Sequence, residues 1–268
     1  MNAKTLERRF SMERVALLVR NRIHEEAPAV GIVAAIVLVN NLLSLWRTRQ
    51  AFFNTPRFHG GAWIATIIVG GLFIAGSAFK SMHDGKTGTE WILLPATPLE
   101  KYAAAFLDIV VAFPIAASLG GIAMSAVLAL IGRALGGAGG DLWLPLNVGS
   151  LEAWAYYAIA AAVFLAGSAS FRKIPILKTV GVASVFGLVA VGLLMAGAWA
   201  LFGGKNGTTM HTGHFIGDLN FDGSMVSERA QSAVRFLFDI ARYAILPAFA
   251  ILFGMAKVIE KEGRDEVQ

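Results

Sequence analysis

Apolar residues along most of the chain fall in runs of about twenty, which shorter polar segments separate. An α-helix rises about 1.5 Å per residue and a hydrocarbon core is about 30 Å thick, so each run is long enough to cross a bilayer. The pattern predicts an all-α membrane protein with six transmembrane helices in a single domain, residues 1–268. We place the spans near residues 28–46, 61–79, 103–131, 153–170, 179–202 and 236–256.

The segment before the first span, residues 10–24, has the pattern of an amphipathic helix. It predicts an interfacial helix whose cationic face contacts anionic headgroups while its apolar stripe enters the acyl layer, although a helix packed on a protein surface has the same pattern. Pro28 suits the first turn of the following span. The apolar positions are Phe10, Met12, Val15, Ala16, Val19 and Ile23, and the charged positions are Glu13, Arg14, Arg20 and Arg22.

Proline and small residues modify the regular pattern of the spans. The third run is longer than a span requires and contains Pro114 and the pair Gly120-Gly121, so it is tilted, kinked or partly outside the hydrocarbon core. Small residues four apart predict close contacts between helices, in a bundle or a dimer. They are Gly71 and Ala75, Ala117 and Gly121, Ala158, Ala162 and Ala166, and Gly192 and Ala196.

Composition excludes a soluble enzyme and several kinds of chemistry. Hydrophobic residues make up 56% of the chain and charged residues 15%, whereas soluble domains carry about 25% charged residues. There is no cysteine, which excludes disulfides, thiolate metal sites and thiol catalysis. The net charge of +5 would suit nucleic acid, but in a membrane protein the placement of Lys and Arg reports orientation first, so we expect no nucleic-acid partner.

The distribution of Lys and Arg predicts the orientation. With the N-terminus inside, the segments on the cytoplasmic side hold 15 basic residues and those on the outer side hold 7. Both termini are therefore predicted to be cytoplasmic, in a multi-pass protein of the cytoplasmic (inner) membrane. The first outer loop opposes the rule locally, because it contains Arg47, Arg49 and Arg57.

The polar segment between the second and third spans, residues 80–101, reads KSMHDGKTGTEWILLPATPLEK. It resembles the permease subunits of type-2 ATP-binding-cassette (ABC) exporters, in which a basic and Gly-Thr-Glu segment leads into a leucine pair, a proline, a short turn and a lysine. The matching positions are Gly88, Thr89, Glu90, Leu93, Leu94, Pro95, Leu99 and Lys101. The order of the elements is also similar, with a long outer loop, residues 203–235, between the fifth and sixth spans.

The resemblance implies a coupling helix that docks on a separate cytoplasmic ATPase subunit. That partner would bind and hydrolyse MgATP, while this chain would bind no cofactor and would pair with a second copy or a similar permease chain. It implies ATPase-coupling roles for the eight matching residues and for His83 and Trp91. The chain departs from the family at His83-Asp84-Gly85 and in having no ATPase domain of its own.

Local sequence rules agree with a short helix here. Thr89 can cap it, Trp91 and the leucine pair provide an apolar side, and Pro95 with Pro98 ends it. The alternative is a solvated basic loop. Gly85-Lys86-Thr87 is not the end of a phosphate-binding loop, because that motif needs a glycine at position 80.

Other ionisable groups suggest weaker sites. Asp218, Asn220 and Asp222 match the opening of a calcium loop, but its closing position is Arg229, so we favour an Asx-rich turn. His211, His214 and Asp218 could ligate zinc only if the loop folded back, so we expect no metal site.

Three ionisable residues fall within the predicted spans. Asp108, Asp239 and Arg242 are candidates for lining a translocation path, although the last two can neutralise each other on one helix face and Asp108 can lie at headgroup depth. No catalytic set appears, so an enzyme is not expected. A non-transporting membrane scaffold and an ion-gradient-driven carrier remain as alternatives, and the substrate is open.

Overall fold

The computed structural model of the chain describes residues 10–48, 56–84, 87–134, 148–202, 210–212, 219–221, 236 and 239–265. The fold is helical, and its described part contains one short β-hairpin besides the helices. The helices are α1 (Met12–Thr48), α2 (Pro56–Ser77), α3 (Lys80–His83), α4 (Gly88–Leu93), α5 (Pro98–Leu107), α6 (Phe113–Ala134), α7 (Val148–Ser170), α8 (Pro175–Phe202) and α9 (Leu246–Asp265).

Three helical stretches in the described part are long and apolar enough to cross a membrane. They are Pro98–Ile131, Glu152–Ser170 and Ala241–Gly263, and they correspond to the predicted third, fourth and sixth spans. The shorter apolar helices Ile67–His83 and Pro175–Ala190 overlap the predicted second and fifth spans. The chain is therefore a candidate membrane protein with several membrane-spanning helices.

Helix α1 is continuous from the amphipathic segment into the first predicted span, so the predicted helix start at Pro28 is wrong. Pro28 lies inside α1. A proline in a helix removes one backbone hydrogen bond, and helix-forming sequence on both sides continues the helix through that position.

The faces of the amphipathic segment also differ from the prediction. Arg20 is exposed, but Arg14 and Arg22 turn inward and pair with carboxylates, so they do not form a face for headgroups. The outward side carries exposed apolar residues, which suits contact with the acyl layer. These residues are Phe10, Met12, Leu17 and Ile23.

Two π-helical turns interrupt the helices, Asp108–Ala112 between α5 and α6 and Ala241–Ile245 before α9. In the first turn the N–H of Phe113 donates to the carbonyl of Asp108, and Pro114 follows. The second turn has the same arrangement before Pro247. Proline has no N–H to donate to the preceding turn, and a wider turn at this point accommodates the missing bond. The sequence predicts a tilt, a kink or a partial exit from the hydrocarbon core in this run, and the structure has a π-helical turn shortly before Pro114.

The contacts divide the chain into two compact units. The first comprises residues 1–176 with 250–268, and its core lies between α2, α5 and α7. The second comprises residues 177–249 and contains most of α8 and the hairpin. The hairpin strands β1 (Met210–Thr212) and β2 (Leu219–Phe221) are antiparallel with His211 opposite Asn220, within the predicted outer loop.

Helices α2 and α7 pack closely through a glycine, as the small residues predict. A Cβ atom added at Gly71 would overlap the ring and hydroxyl of Tyr157. Ala75, one turn further along α2, is fully buried. The Tyr157 hydroxyl donates to the carbonyl of Ile109 at 2.7 Å, so the same contact ties α7 to the first π-helical turn.

We expect Gly71→Ala to destabilise the first unit, because the new methyl group must displace Tyr157 from its bond to Ile109. Overpacking of this kind costs about 1–3 kcal/mol. The control is Gly120→Ala, since nothing lies within 4 Å of a Cβ at that position. Thermal unfolding in detergent should show a lower midpoint for Gly71→Ala alone, and equal midpoints would contradict the packing described.

Candidate functional site

The segment that joins α2 to α5 contains two short helices and a turn, and its local hydrogen bonds explain their limits. Helix α4 begins after Thr87, whose hydroxyl donates to the Ser81 carbonyl at 3.2 Å, so Thr89 lies inside the helix and the prediction that it is the cap is wrong. The reason is that Thr87 already bridges α3 and α4. We call residues 87–99 the docking segment.

Helix α5 begins with a capping box. The Thr97 hydroxyl accepts from the N–H of Glu100 at 3.3 Å, and the Glu100 carboxylate accepts from the N–H of Thr97 at 2.8 Å. Pro98 occupies the start of α5, where its missing N–H costs nothing. The sequence interpretation had Pro98 help to end α4. In the structure, Pro98 begins α5 instead.

An aromatic cluster holds the inner side of the docking segment. The ring of Phe79 meets Trp91 edge-on and stacks on Tyr102, with both centroid distances 5.7 Å. All three side chains are buried, together with Met82. Trp91 belongs to α4, so its burial directs one face of this short helix into the core.

Glu100 is fully buried and accepts hydrogen bonds from the N-terminal end of the described chain. The N–H of Ser11 donates to Oε1 at 2.6 Å, and Nη2 of Arg14 donates to the same oxygen at 2.7 Å. Nε of Arg14 lies 3.2 Å from Oε2. A buried carboxylate needs such partners, and here they come from the start of α1 and from the capping box.

Lys101, the next residue, is also buried and contacts the opposite end of the chain. Its Nζ donates to the carbonyl of Trp91 at 2.7 Å and to the carboxylate of Glu262 at 2.8 Å. The ammonium also lies 5.2 Å from the Trp91 ring centroid, at cation–π distance. Lys101 therefore links α4, α5 and α9, and it does not face a docking partner directly.

Asp108 forms a second buried ion pair with α1. Nε of Arg22 donates to Oδ2 of Asp108 at 3.3 Å, and the guanidinium also contacts the Ala78 carbonyl at 3.4 Å. The carboxylate is 2% exposed. Asp108 thus neutralises Arg22 at the point where the first π-helical turn begins.

His83 contacts α7 at the end of α3. Its Nε2 lies 3.1 Å from the Ser168 carbonyl, and the Ser168 hydroxyl accepts from the N–H of Phe79 at 2.9 Å. Burial lowers the pKa of His83 below its usual value of 6.5, an effect that outweighs the hydrogen bond to Ser168. The positive charges of Lys261 and Arg172 lower it further.

We expect acid to lower the stability of the fold around His83, because burial disfavours the protonated imidazole. The unfolded chain takes up a proton near pH 6.5, before the folded protein does, so the stability that neutral His83 contributes is complete above that pH and is lost as the pH falls below it. In thermal unfolding at pH 7.5 and pH 5.5, His83→Gln should show a smaller fall in midpoint than the unchanged chain. Equal falls would contradict the role of His83.

The outer side of the docking segment is exposed, and it includes several of the predicted coupling residues. The Leu93 side chain is 74% exposed and Leu99 is 40% exposed. Leu94 and Gly88 are half-buried, and Leu94 packs on the core. Apart from these two half-buried residues, the predicted coupling residues form two groups. The inner group, whose side chains contact the rest of the fold, contains His83, Trp91 and Lys101. The other, outer group is exposed. The outer group contains Thr89, Glu90, Leu93, Pro95 and Leu99.

The remaining predicted positions belong to the second unit, and several of them lie outside the described residues. Asp239 is exposed, and the Arg242 guanidinium lies 5.1 Å from the Tyr243 ring in the second π-helical turn. Asp218, Asp222 and His214 lie outside the described residues, and Asn220 is in β2. Within the described residues, no group of His, Asp and Glu could hold a metal ion.

Sequence interpretation missed the polar partners of the segment, although two signals were present. Thr97 and Glu100 have the Thr-x-x-Glu spacing of a capping box. Arg14 and Arg22 are eight residues apart, and so are their partners Glu100 and Asp108. Equal spacing places both charge pairs in register when two helices lie side by side, about 12 Å apart along the axis.

Comparisons of the chain with family models, with curated proteins and with solved structures give no match.

Proposed function

We propose that this chain is the transmembrane subunit of an ABC transporter, an exporter whose six spans form the translocation path and whose docking segment binds a separate ATPase. The observation that carries the proposal is an amphipathic docking segment with one fixed side and one free side. Trp91 is buried in the core while Leu93 is 74% exposed on the same short helix.

The arrangement suits a docking element better than a solvated loop. A loop of no further function has no need for a buried tryptophan, a capping box and two buried charges at its base. An exposed leucine on a helix held in this way supplies an apolar contact at low entropic cost, because its backbone is already ordered. Glu90, also exposed, adds a charge beside it that can select a basic partner surface.

The distribution of basic residues supports the orientation. It favours a docking segment and both termini on the cytoplasmic side of the inner membrane. Nucleotide chemistry belongs to the partner, which binds MgATP, because position 80 is a lysine in α3 where a phosphate-binding loop needs glycine. A second copy or a similar chain completes the translocation path, and lipid surrounds it.

The transport step follows from rigid-body motion. Nucleotide-driven closure of two ATPase subunits displaces the docking segments, and the bundles attached to them alternate between inward and outward openings. Asp108, Asp239 and Arg242 remain candidates for the path, and the substrate class stays open.

A carrier driven by an ion gradient is the second candidate, and the position of Asp108 favours it. Asp108 is buried at the start of a π-helical turn, and both π-helical turns and ionisable residues within membrane spans are frequent at functional sites. In a carrier, Asp108→Asn would abolish gradient-driven flux. In an ABC exporter, any transport that Asp108→Asn retains would depend on ATP and would not require the ion gradient.

Affinity purification from native membranes in mild detergent tests the proposal. We expect an ATPase with a phosphate-binding loop to copurify with the tagged chain. If a stable and abundant chain brings down no ATPase, the exporter is excluded and the carrier or a membrane scaffold takes its place.

A further inference from the structure

Two adjacent buried residues at the start of α5 are held from opposite ends of the chain. Glu100 accepts from Ser11 and Arg14 at 2.6 and 2.7 Å. Lys101 donates to Glu262 at 2.8 Å. The start of α5 therefore forms ion pairs with both the first and the last described helix.

The same point is attached to the docking segment. Lys101 donates to the backbone carbonyl of Trp91 in α4, and Glu100 forms the capping box with Thr97. Both residues are almost fully shielded from water, with exposures of 0% for Glu100 and 3% for Lys101. Separating a buried charge from its partner leaves it uncompensated, so these contacts resist being pulled apart.

The helices at the other side of these contacts are long. Helix α1 continues to Thr48, and α9 belongs to the membrane-spanning stretch Ala241–Gly263. A displacement of the docking segment that keeps the ion pairs closed must move the ends of both helices with it.

We propose that Glu100 and Lys101 are positioning residues that pass displacement of the docking segment to α1 and to α9 through separate ion pairs. This inference rests on the proposed function, since the displacement comes from the ATPase. Arg14 and Glu262 are the receiving residues, one on each terminal helix.

Spin-label distances in the complex with the copurified ATPase test this proposal. The chain contains no cysteine, so introduced cysteines are the only label sites in it. Thr89→Cys marks α4, Ile259→Cys marks α9 and Arg20→Cys marks α1, and all three positions are exposed. The two distances from residue 89 are measured with and without MgATP, in labelled protein that still retains the ATPase.

We expect both distances to be unchanged by MgATP in the chain with its ion pairs intact. In Lys101→Met, MgATP should shift the distance between residues 89 and 259 and leave the distance to residue 20 unchanged. Arg14→Met should give the opposite result. Glu262→Gln removes the other charge of the same pair, at a residue that is 12% exposed. It should give the same distance shift as Lys101→Met, and it replaces that variant if Lys101→Met folds poorly.

The matched control is Lys257→Met, which breaks an exposed ion pair with Glu260 on the same helix and should change neither distance. The proposal is overturned if the variants bind ATPase and neither distance responds to MgATP. A purely structural brace would lower thermal stability without creating any nucleotide-dependent shift. Failure of the unlabelled chain to recover an ATPase would overturn the proposed function, and this role with it.

Discussion

On the proposed function, Leu93→Asp should abolish recovery of the partner ATPase while leaving the chain folded. Leu93 is 74% exposed, so the substitution removes little packing within the chain. At a docking surface, a charge in place of the central apolar residue costs at least about 2 kcal/mol, which weakens binding about 30-fold. Quantitative copurification of the ATPase, normalised to the tagged chain, measures the effect.

The control for Leu93→Asp is Ile259→Asp, an equivalent change at an exposed apolar residue of α9 outside the docking segment. It should leave ATPase recovery unchanged. Leu94→Asp is a poorer test, because Leu94 packs on the core and its loss would disturb folding as well as docking. ATPase recovery that is equal for Leu93→Asp and the unchanged chain would show that this face does not bind it.

Glu100→Ala should be among the most destabilising single substitutions in the first unit. It removes the fully buried carboxylate that pairs with Arg14, accepts from the N–H of Ser11 and completes the capping box with Thr97. Arg14 is 34% exposed and can regain water, so the cost falls mainly on the N–H groups of Ser11 and Thr97, at about 1–3 kcal/mol for each donor left without a partner. We expect most of the chain to aggregate at temperatures where the unchanged protein remains monodisperse in detergent.

Glu260→Ala is the matched control for Glu100→Ala. Glu260 forms an ion pair with Lys257 at 2.7 Å, but both side chains are about 40% exposed, and exposed pairs contribute little. Size-exclusion profiles after graded heating should separate the two variants clearly. If Glu100→Ala remains monodisperse after heating as well as Glu260→Ala does, the contacts of Glu100 do not stabilise the docking segment.

Hydrophobic periodicity was sufficient to locate the main helices. The predicted spans at 103–131 and 153–170 lie within the apolar stretches Pro98–Ile131 and Glu152–Ser170. Apolar runs of this length favour helices, since a helix satisfies all of its backbone hydrogen bonds within the run itself. Gly71 was predicted to permit close helix contact because it has no side chain, and its approach to Tyr157 confirms this.

The details that sequence rules missed depend on partners distant in the chain. Pro28 obeys a local rule for helix starts, but the helix continues through it. In the sequence, Arg14 and Arg22 have the pattern of solvated charges. In the structure they pair with Glu100 of α5 and with Asp108 of the π-helical turn that follows it. Lys101 resembles a docking residue by its position in the motif. Its burial depends on an ion pair with Glu262, which lies 161 residues further along the chain and which no local rule identifies.

The most direct test of the docking claim is site-specific crosslinking in native membranes. A photoreactive group is attached to Leu93→Cys, which is the only cysteine in that variant, and the crosslinked partner is identified by mass spectrometry. The account predicts a crosslink to an ATPase that contains a phosphate-binding loop, and a much weaker one from Ile259→Cys. Crosslinks from residue 93 to lipid alone, or to proteins without a nucleotide site, would contradict it.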